Sequence, residues 1–387
     1  MVTVRGRVVL PDAILDDGVV QVRDGLIAAV GPADTFAADV RPAPTDDLVL
    51  PGLVDLHCHG GGGHSFPDAL TPGEALAAVA EHRRHGTTTL VASLVTAPVG
   101  ALRASTALLA DLADAGEIAG IHFEGPFISA GHRGAQNPAA IREPDPALTA
   151  ELLAIGRGHV ATMTIAPEAP RAVEVARVLI DGGALPSWGH TSASAPQTRV
   201  TLAEVWPALD ARGRRATVTH LCNGMAPVHH REPGPILEFL AAARAGRLVV
   251  ELIGDGVHLD PDTVRAIHDI VGRGNAVLVT DAMAATGMED GDYVLGSLAV
   301  SVRGGVARLT EGQSLAGGTS HLLDVVRVSV AGGLPLVDAV HMASTTPAAV
   351  LGRDDVGSLA VGAAADILVT DRDLRVRRVL RKGVDVA

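Results

Sequence analysis

The stretch GLVDLHCH, residues 52–59, is an apolar strand-like run that ends in two histidines, His57 and His59. Alternate residues of a strand share one face, so these two imidazoles point in the same direction. Such a pair suits a divalent metal ion, although many histidines at strand ends bind nothing. The four glycines that follow, residues 60–63, either let the backbone approach a bound group closely or form a plain flexible loop.

Seven further strand-like runs follow this stretch, and helix-like segments separate them. The runs are TTTLVAS (87–93), IAGIHFE (118–124), VATMTIAP (160–167), ALPSWGH (184–190), ATVTHL (216–221), LVVELIGDG (248–256) and AVLVTDA (276–282). Repeated strand–helix units spread over roughly 250 residues are the size of a (β/α)8 barrel. We therefore predict an α/β fold, a (β/α)8 TIM-like barrel in which the carboxyl ends of all strands meet at one mouth.

The two ends of the chain follow a different pattern. Residues 1–50 alternate short apolar runs with Asp-Gly turns, and the segment from Gly357 repeats this alternation. Neither end has enough strands to be stable alone, so we predict one small β-sandwich domain made of residues 1–50 and 357–387. The barrel then covers residues 51–356. Within the barrel, residues 287–318 interrupt the alternation of strands and helices with hairpin-like turns. This predicts an excursion that could act as an active-site flap.

The composition argues against several classes of partner. The 387 residues carry a net charge of −13 and only 2% aromatic residues, so the chain repels anionic surfaces and has few rings to stack on bases. We find no long apolar run and no secretory leader. The two cysteines, Cys58 and Cys222, are expected to be free thiols in a reducing compartment. We therefore predict a cytoplasmic protein with no nucleic-acid partner and no membrane partner.

Polar residues stand at the ends of four other predicted barrel strands: Glu124, His190, His220 and Asp281. Each one alone could be a surface or capping residue. Together, Glu124, His190 and His220 could form a three-ligand metal site that stays open to water. Asp281 beside that site could take a proton from water and return it to a leaving amine.

Two other features of the sequence narrow the chemistry. The only lysine, Lys382, lies outside every barrel strand, so neither a carboxylated lysine bridge nor a Schiff-base lysine can be built there. Glu124 is then the candidate bridge between two metal ions. His229, His230 and Arg231 form a basic cluster in an acidic protein, which favours a phosphate site over an ordinary surface loop.

Eight motifs in order resemble one family over nearly the whole chain. They are PGLVDLHCHGGGG, HFEGPFIS, GHTSA, THLCNGM, HHREPG, GDGVHL, LVTDAM and LAGG, and they resemble the N-acetylglucosamine-6-phosphate deacetylases of the amidohydrolase superfamily. The resemblance implies that Glu124, His190 and His220 hold the metal and that Asp281 is the acid/base. Some members lack one histidine of the first-strand pair and keep a single metal ion. Both His57 and His59 are present here, so the resemblance allows one or two ions.

The same resemblance implies the substrate contacts. Asn223 and Gly224 match contact positions, Arg231 matches the phosphate contact, and His258 matches a contact to the sugar. Gln136 stands where the family more usually has a histidine near the acetamide, and an amide can donate a hydrogen bond but carries no charge. Gly224 stands where alanine is usual.

The implied reaction is hydrolysis of the acetamide of N-acetyl-D-glucosamine 6-phosphate to D-glucosamine 6-phosphate and acetate, in amino-sugar catabolism and cell-wall recycling. It would use a metal-bound hydroxide, with one or two divalent ions per subunit. Zinc is the first expectation, and iron, manganese or cobalt are alternatives. The resemblance also implies a homodimer. The alternatives are a deacetylase of another N-acetylated hexosamine 6-phosphate, such as the galacto epimer, and a non-catalytic barrel that binds a sugar phosphate.

Overall fold

A computed structural model describes residues 2–312 and 314–386. The first four strands are β1 (Val2–Val9), β2 (Ile14–Arg23), β3 (Leu26–Pro32) and β4 (Leu48–Pro51). Strands β1, β2 and β3 are antiparallel neighbours, and β4 pairs with β1 in parallel. The turn between β2 and β3 is Asp24–Gly25, with φ of 53° and 78°, which is the backbone that tight hairpins require.

The barrel follows directly after β4. The next strands are β5 (Leu53–Cys58), the short pair β6 (Gly60–Gly61) and β7 (His64–Ser65), and then β8 (Thr87–Leu94), β9 (Gly120–Phe127), β10 (Val160–Ile165), β11 (Leu185–Trp188), β12 (Ala216–Val218), β13 (Leu248–Leu252) and β14 (Ala276–Leu278). Strands β5 and β8 to β14 form one parallel sheet, and a bridge between Cys58 and Ala282 links its two edges. These strands are almost continuously buried because both of their faces are covered, and they mix apolar residues with buried threonines and serines. The predicted (β/α)8 barrel is confirmed.

Helices lie between and after the barrel strands. They are α1 (Pro72–Arg84), α2 (Val99–Asp114), α3 (Pro146–Ile155), α4 (Ala172–Asp181), α5 (Ala195–Asp210), α6 (Ile236–Arg244), α7 (Pro261–Val271), α8 (Leu322–Ala331), α9 (Leu336–Met342) and α10 (Thr345–Leu351). Single 3-10 turns occur at Ala33–Thr35, Ala38–Val40, Ala130–His132, Pro138–Ala140 and Arg273–Asn275. Thr71 and Glu74 form a reciprocal capping box at the start of α1, which fixes where this helix begins.

The predicted excursion is a small antiparallel sheet, which we call the flap. It consists of β15 (Asp292–Leu295), β16 (Leu298–Arg303) and β17 (Val306–Leu309). The flap has its own apolar core, in which Val300 packs in one cluster with Met283, close to the end of β14. The Asp68 carboxylate accepts a hydrogen bond from the backbone N–H of Gly296 at 3.1 Å, which fastens the flap tip to the barrel.

The last three strands return to the first sheet. They are β18 (Ile367–Thr370), β19 (Val376–Arg381) and β20 (Val384–Asp385). Strand β18 pairs with β4, so both ends of the chain contribute to a seven-stranded sheet. Its core includes Val8, Val20, Ile27 and Ile367. The β unit formed by both termini is thus confirmed, while the exact domain boundaries stay a prediction.

The structure places several predicted strand ends differently. Strands β11 to β14 end two to four residues before the predicted runs do. Glu124 lies inside β9 and not at its end, because the strand continues to Phe127, which pairs with Ile165 of β10. In the part of the chain that the structure describes, no helix is both long enough and apolar enough to cross a membrane.

Candidate metal centre

The Glu124 carboxylate lies between two pairs of histidines at the barrel mouth. Its Oε1 is 2.7 Å from Nε2 of His190 and 2.9 Å from Nε2 of His220. Its Oε2 is 3.0 Å from Nε2 of His59 and 3.9 Å from Nε2 of His57. We call these two sets of side chains the His190/His220 group and the His57/His59 group. All five side chains are buried.

Asp281 completes the His57/His59 group. Its Oδ1 is 3.3 Å from Nε2 of His57 and 3.2 Å from Nε2 of His59. In the described part of the chain, His57, His59, Glu124 and Asp281 form one set of candidate ligands, and Glu124, His190 and His220 form another. The structure therefore brings together all six residues that were predicted from the sequence to bind metal or transfer a proton.

The outer nitrogens of three of these histidines show which way their lone pairs point. Nδ1 lies 2.7–3.1 Å from an acceptor in each case: Glu251 Oε2 for His57, the Ser93 carbonyl for His59 and the His132 carbonyl for His190. Each Nδ1 therefore carries a proton, so in the neutral ring that binds a metal ion the Nε2 lone pair faces the site.

The short distances between histidine nitrogens indicate whether the site suits a cation. The Nε2 atoms of His57 and His59 are 3.1 Å apart, and so are those of His190 and His220. Lone pairs that face each other beside two carboxylates repel one another unless a positive charge lies among them. Imidazole nitrogens and carboxylate oxygens are also the ligands that zinc and related ions take. The side chains present thus fit divalent metal ions.

The electrostatics of the centre agree with this interpretation. Burial acts to lower the pKa of His57, but the charge of Asp281 and the contacts with Glu124 and Glu251 together hold that pKa well above its ordinary value. Burial acts likewise on His59, where a hydrogen bond to Asp281 helps to raise the pKa to about 9. Conversely, burial acts to raise the pKa of Asp281, but the charge of His57 and the hydrogen bond and charge of His59 together keep it below its ordinary value. The site therefore attracts positive charge.

The backbone at three of these residues adopts the left-handed conformation. The φ angles are 47° at His190, 28° at His220 and 49° at Asp281. This conformation costs a non-glycine residue roughly 1–2 kcal/mol, and strain of this kind concentrates at functional sites. At Asp281, the backbone N–H donates to the carbonyl of His57 at 2.9 Å, which ties β14 to β5 and holds the turn.

Sequence reasoning missed Glu251, which supports both histidine groups. Its Oε2 accepts from Nδ1 of His57 at 3.1 Å and from the backbone N–H of His220 at 3.2 Å. Glu251 is 1% exposed on β13, in the run LVVEL. The signal in the sequence is a single charged residue within an otherwise apolar strand. Such a residue could have been recognised as functional, because a buried carboxylate needs polar partners.

A cavity of about 270 Å³ lies above the centre and holds most of the predicted substrate contacts. Gln136, Asn223, Gly224 and His258 line it, together with Leu295 of the flap. Nδ1 of His258 is 2.8 Å from the Asp255 carboxylate. Burial acts to lower the pKa of His258, but this hydrogen bond and the charges of Asp255 and Asp281 together raise it above its ordinary value.

Two predicted contacts gain detail from the structure. Gly224 has a φ of 59°, and a Cβ built there would lie 2.8 Å from Nδ1 of His190, which explains glycine at this position. Arg231, by contrast, is exposed in the loop 226–235 and does not line the cavity. Its assignment to a phosphate stays a prediction.

Gln136 contacts the centre itself. Its Oε1 accepts a hydrogen bond from the backbone N–H of Thr96 at 2.7 Å, and its Nε2 donates to Oε2 of Glu124 at 2.5 Å. The side chain that the family resemblance places near the acetamide is therefore also hydrogen-bonded to a candidate metal ligand.

Comparison with known proteins agrees with these observations. Residues 48–386 match the amidohydrolase family. The chain is 34% identical to an N-acetylgalactosamine-6-phosphate deacetylase of Escherichia coli O157:H7, over 97% of each protein. It is 32% identical to an N-acetylglucosamine-6-phosphate deacetylase of Bacillus subtilis (strain 168), over 97% of this chain and 94% of that protein.

A solved structure is similar over the full length. It is a mutant N-acetyl-D-glucosamine-6-phosphate deacetylase from Mycobacterium smegmatis in complex with N-acetyl-D-glucosamine-6-phosphate, with 40% identity, a TM-score of 0.92, and coverage of 100% of this chain and 99% of that chain. Amidohydrolases are metal-dependent, in agreement with the ligand geometry. The chain therefore belongs to the amidohydrolase family, and within it to the N-acetylglucosamine-6-phosphate deacetylase family that its motifs resemble.

Proposed function

We propose that this protein hydrolyses the acetamide of N-acetyl-D-glucosamine 6-phosphate to D-glucosamine 6-phosphate and acetate. The observation that carries the proposal is the buried centre of four imidazoles and two carboxylates beneath a cavity at the barrel mouth. The full-length similarity to a structure in complex with this sugar phosphate supports the substrate.

The side chains suggest where metal ions would bind. Glu124, His190 and His220 would hold one ion, and the His57/His59 group would hold a second, with Glu124 shared between them. A divalent ion, when bound, polarises the amide carbonyl and lowers the pKa of water at the site. We propose one or two ions per subunit, with zinc first and iron, manganese or cobalt as alternatives.

Asp281 would move the proton. Its low pKa keeps it ionised at neutral pH, so it can accept a proton from the attacking water. The same carboxyl group can then protonate the amine nitrogen, which could not leave as an anion. Because Asp281 lines the cavity, it is within reach of a substrate bound there.

Other residues would bind and orient the sugar phosphate. His258, oriented by Asp255, and the amide of Asn223 line the cavity and can contact sugar oxygens. Nδ2 of Asn223 is buried with no hydrogen-bond partner among the described residues, so a donor is available there. We assign the phosphate to Arg231, whose exposed loop contains two further basic residues, His229 and His230.

We further propose a homodimer, as the family resemblance implies, and a cytoplasmic location. The location is supported by the two cysteines, Cys58 and Cys222, which are both free thiols.

The test is acetate release from N-acetylglucosamine 6-phosphate, beside the unphosphorylated sugar and the galacto epimer, on protein whose metal content has been counted. We expect turnover of the phosphorylated gluco compound and a fall of about 10²–10⁴-fold in kcat for Asp281→Asn. Asp292→Asn, an exposed carboxylate of the flap, is the control. Faster turnover of the galacto epimer would favour the activity named for the Escherichia coli relative. No acetate from any sugar would contradict an enzymatic role.

A further inference from the structure

We infer that Gln136 is a positioning residue that fixes the shared carboxylate of Glu124 and thereby sets the metal affinity of the His57/His59 group. This inference rests on the proposed metal-dependent function. It differs from the substrate contact that the family resemblance implies, because it concerns a contact within the protein.

The orientation of the Gln136 amide is determined by its surroundings. The backbone N–H of Thr96 can only donate, so the atom 2.7 Å from it must be the amide oxygen, Oε1. The amide nitrogen therefore faces Glu124 and donates to Oε2 at 2.5 Å. Thr96 also donates from Oγ1 to the carbonyl of Glu124 at 3.0 Å. Gln136 and Glu124 are thus held by the same residue.

The hydrogen bond reaches only one of the two carboxylate oxygens. Oε2 of Glu124 faces the His57/His59 group, whereas Oε1 faces the His190/His220 group. A donor on Oε2 opposes rotation of the carboxylate plane and keeps one oxygen in each group. Without it, the strongest fixed contacts would be the two at Oε1, and the carboxylate could turn away from His59.

An amide suits this position because it provides the hydrogen bond without a charge. Gln136 is 3% exposed and Glu124 is 4% exposed, so water cannot readily replace the lost donor. A cationic donor here would repel a metal ion in the His57/His59 group. Partners that orient metal ligands typically change metal affinity by 10–100-fold when removed.

The experiment is a titration of metal-free protein with Co²⁺, followed by the visible absorption of the bound ion. We expect two binding phases for the wild type, and the phase that disappears in His59→Asn identifies the His57/His59 group. Gln136→Leu removes the donor at similar volume. We expect it to weaken that phase by about 10–100-fold and leave the other phase in place.

Asn137 provides a matched control. Its Nδ2 donates to Oγ of Ser297 at 2.8 Å on the flap and does not contact the centre. Asn137→Ala removes a neighbouring amide, and we expect both phases to persist unchanged. Circular dichroism checks that each variant is folded. If Gln136→Leu does not fold, Gln136→Met, which also lacks the donor, takes its place.

Several results would overturn the inference: wild-type phases in folded Gln136→Leu, equal weakening of both phases, the same change in Asn137→Ala, or a single phase in the wild type. The titration needs no substrate, so it is independent of the proposed reaction. Two phases with the expected Gln136 effect but no acetate release would contradict the proposed function alone.

Discussion

His82 shows how one buried nitrogen limits the pH range of this fold. Its Nε2 donates to the carbonyl of Gly60 at 2.8 Å, and its Nδ1 is buried without a partner among the described residues. A proton on Nδ1 would have no acceptor, and burial lowers the pKa of His82 to about 4. The folded protein therefore keeps this ring neutral where an unfolded chain would protonate it.

The consequence is a loss of stability in acid. Between roughly pH 6.5 and pH 4 the unfolded chain binds a proton at His82 that the folded chain does not, so stability falls as the pH is lowered through this window. One proton contributes a slope of up to about 1.4 kcal/mol per pH unit. The variant His82→Gln keeps a neutral hydrogen-bond donor. We expect its melting temperature to fall less between pH 7 and pH 5 than that of the wild type. Equal losses at matched metal content would contradict this account.

Arg231 is the residue whose role depends most on the substrate. Loss of a hydrogen bond to a charged group costs about 1.5–3 kcal/mol, which corresponds to roughly 10–100-fold in binding. We expect Arg231→Ala to raise KM for the phosphorylated sugar about 10–100-fold, with little change in kcat. Arg244→Ala, on the exposed surface of α6, should behave as the wild type. A fall in kcat at unchanged KM would argue against phosphate binding by Arg231.

At the scale of elements, the flap links substrate binding to packing. Val300 of β16 is fully buried in the cluster that also contains Met283, two residues beyond Asp281. Leu295 at the end of β15 lines the cavity. The flap is therefore a wall of the substrate site that rests on its own small core.

Weaker packing in this core should raise the KM for the substrate without changing the metal content. Val300→Ala removes two methyl groups, which costs about 1–3 kcal/mol of packing. We expect a higher KM with unchanged metal content, measured by acetate release and metal analysis. Val294→Ala in the same flap is the control, because that side chain is 52% exposed. Loss of metal from Val300→Ala would show that the flap core supports the centre directly.

At the scale of the whole molecule, the metal centre joins strands that are distant in sequence. One set of candidate ligands comes from β5, β9 and the end of β14, and the other from β9 and the ends of β11 and β12. Two bound ions would together connect five of the eight barrel strands. Without a metal ion, only bound protons can offset the repulsion among the facing Nε2 lone pairs and carboxylates of these strands.

Removal of metal should therefore destabilise the entire barrel. A ligand present at about 100 times its Kd stabilises the folded state by about 2.7 kcal/mol. We expect chelation to lower the melting temperature by several degrees, and Zn²⁺ or Co²⁺ to restore it. Mg²⁺ should restore less, since it prefers oxygen ligands. An unchanged melting temperature after complete metal removal would contradict a metal centre that ties these strands together.

Much of this architecture could be read from local patterns. Eight apolar runs predicted the barrel strands, and the structure begins and ends each of them within a few residues of the prediction. Polar residues near strand ends predicted the centre, because barrel topology brings strand ends to one mouth. Glu124 was placed on the correct strand but at its end, since the pairing of Phe127 with Ile165 depends on the neighbouring strand.

The fold, the family and the identities of the residues that meet at the mouth could thus be predicted from the sequence, because apolar periodicity and motif order are local properties. Three facts became evident only from the folded chain: Glu124 shares its two oxygens between two histidine pairs, Glu251 and Gln136 hold this arrangement, and Arg231 lies outside the cavity. Those facts depend on distances between side chains far apart in the chain. Such distances are set by packing and backbone turns, which no local pattern specifies.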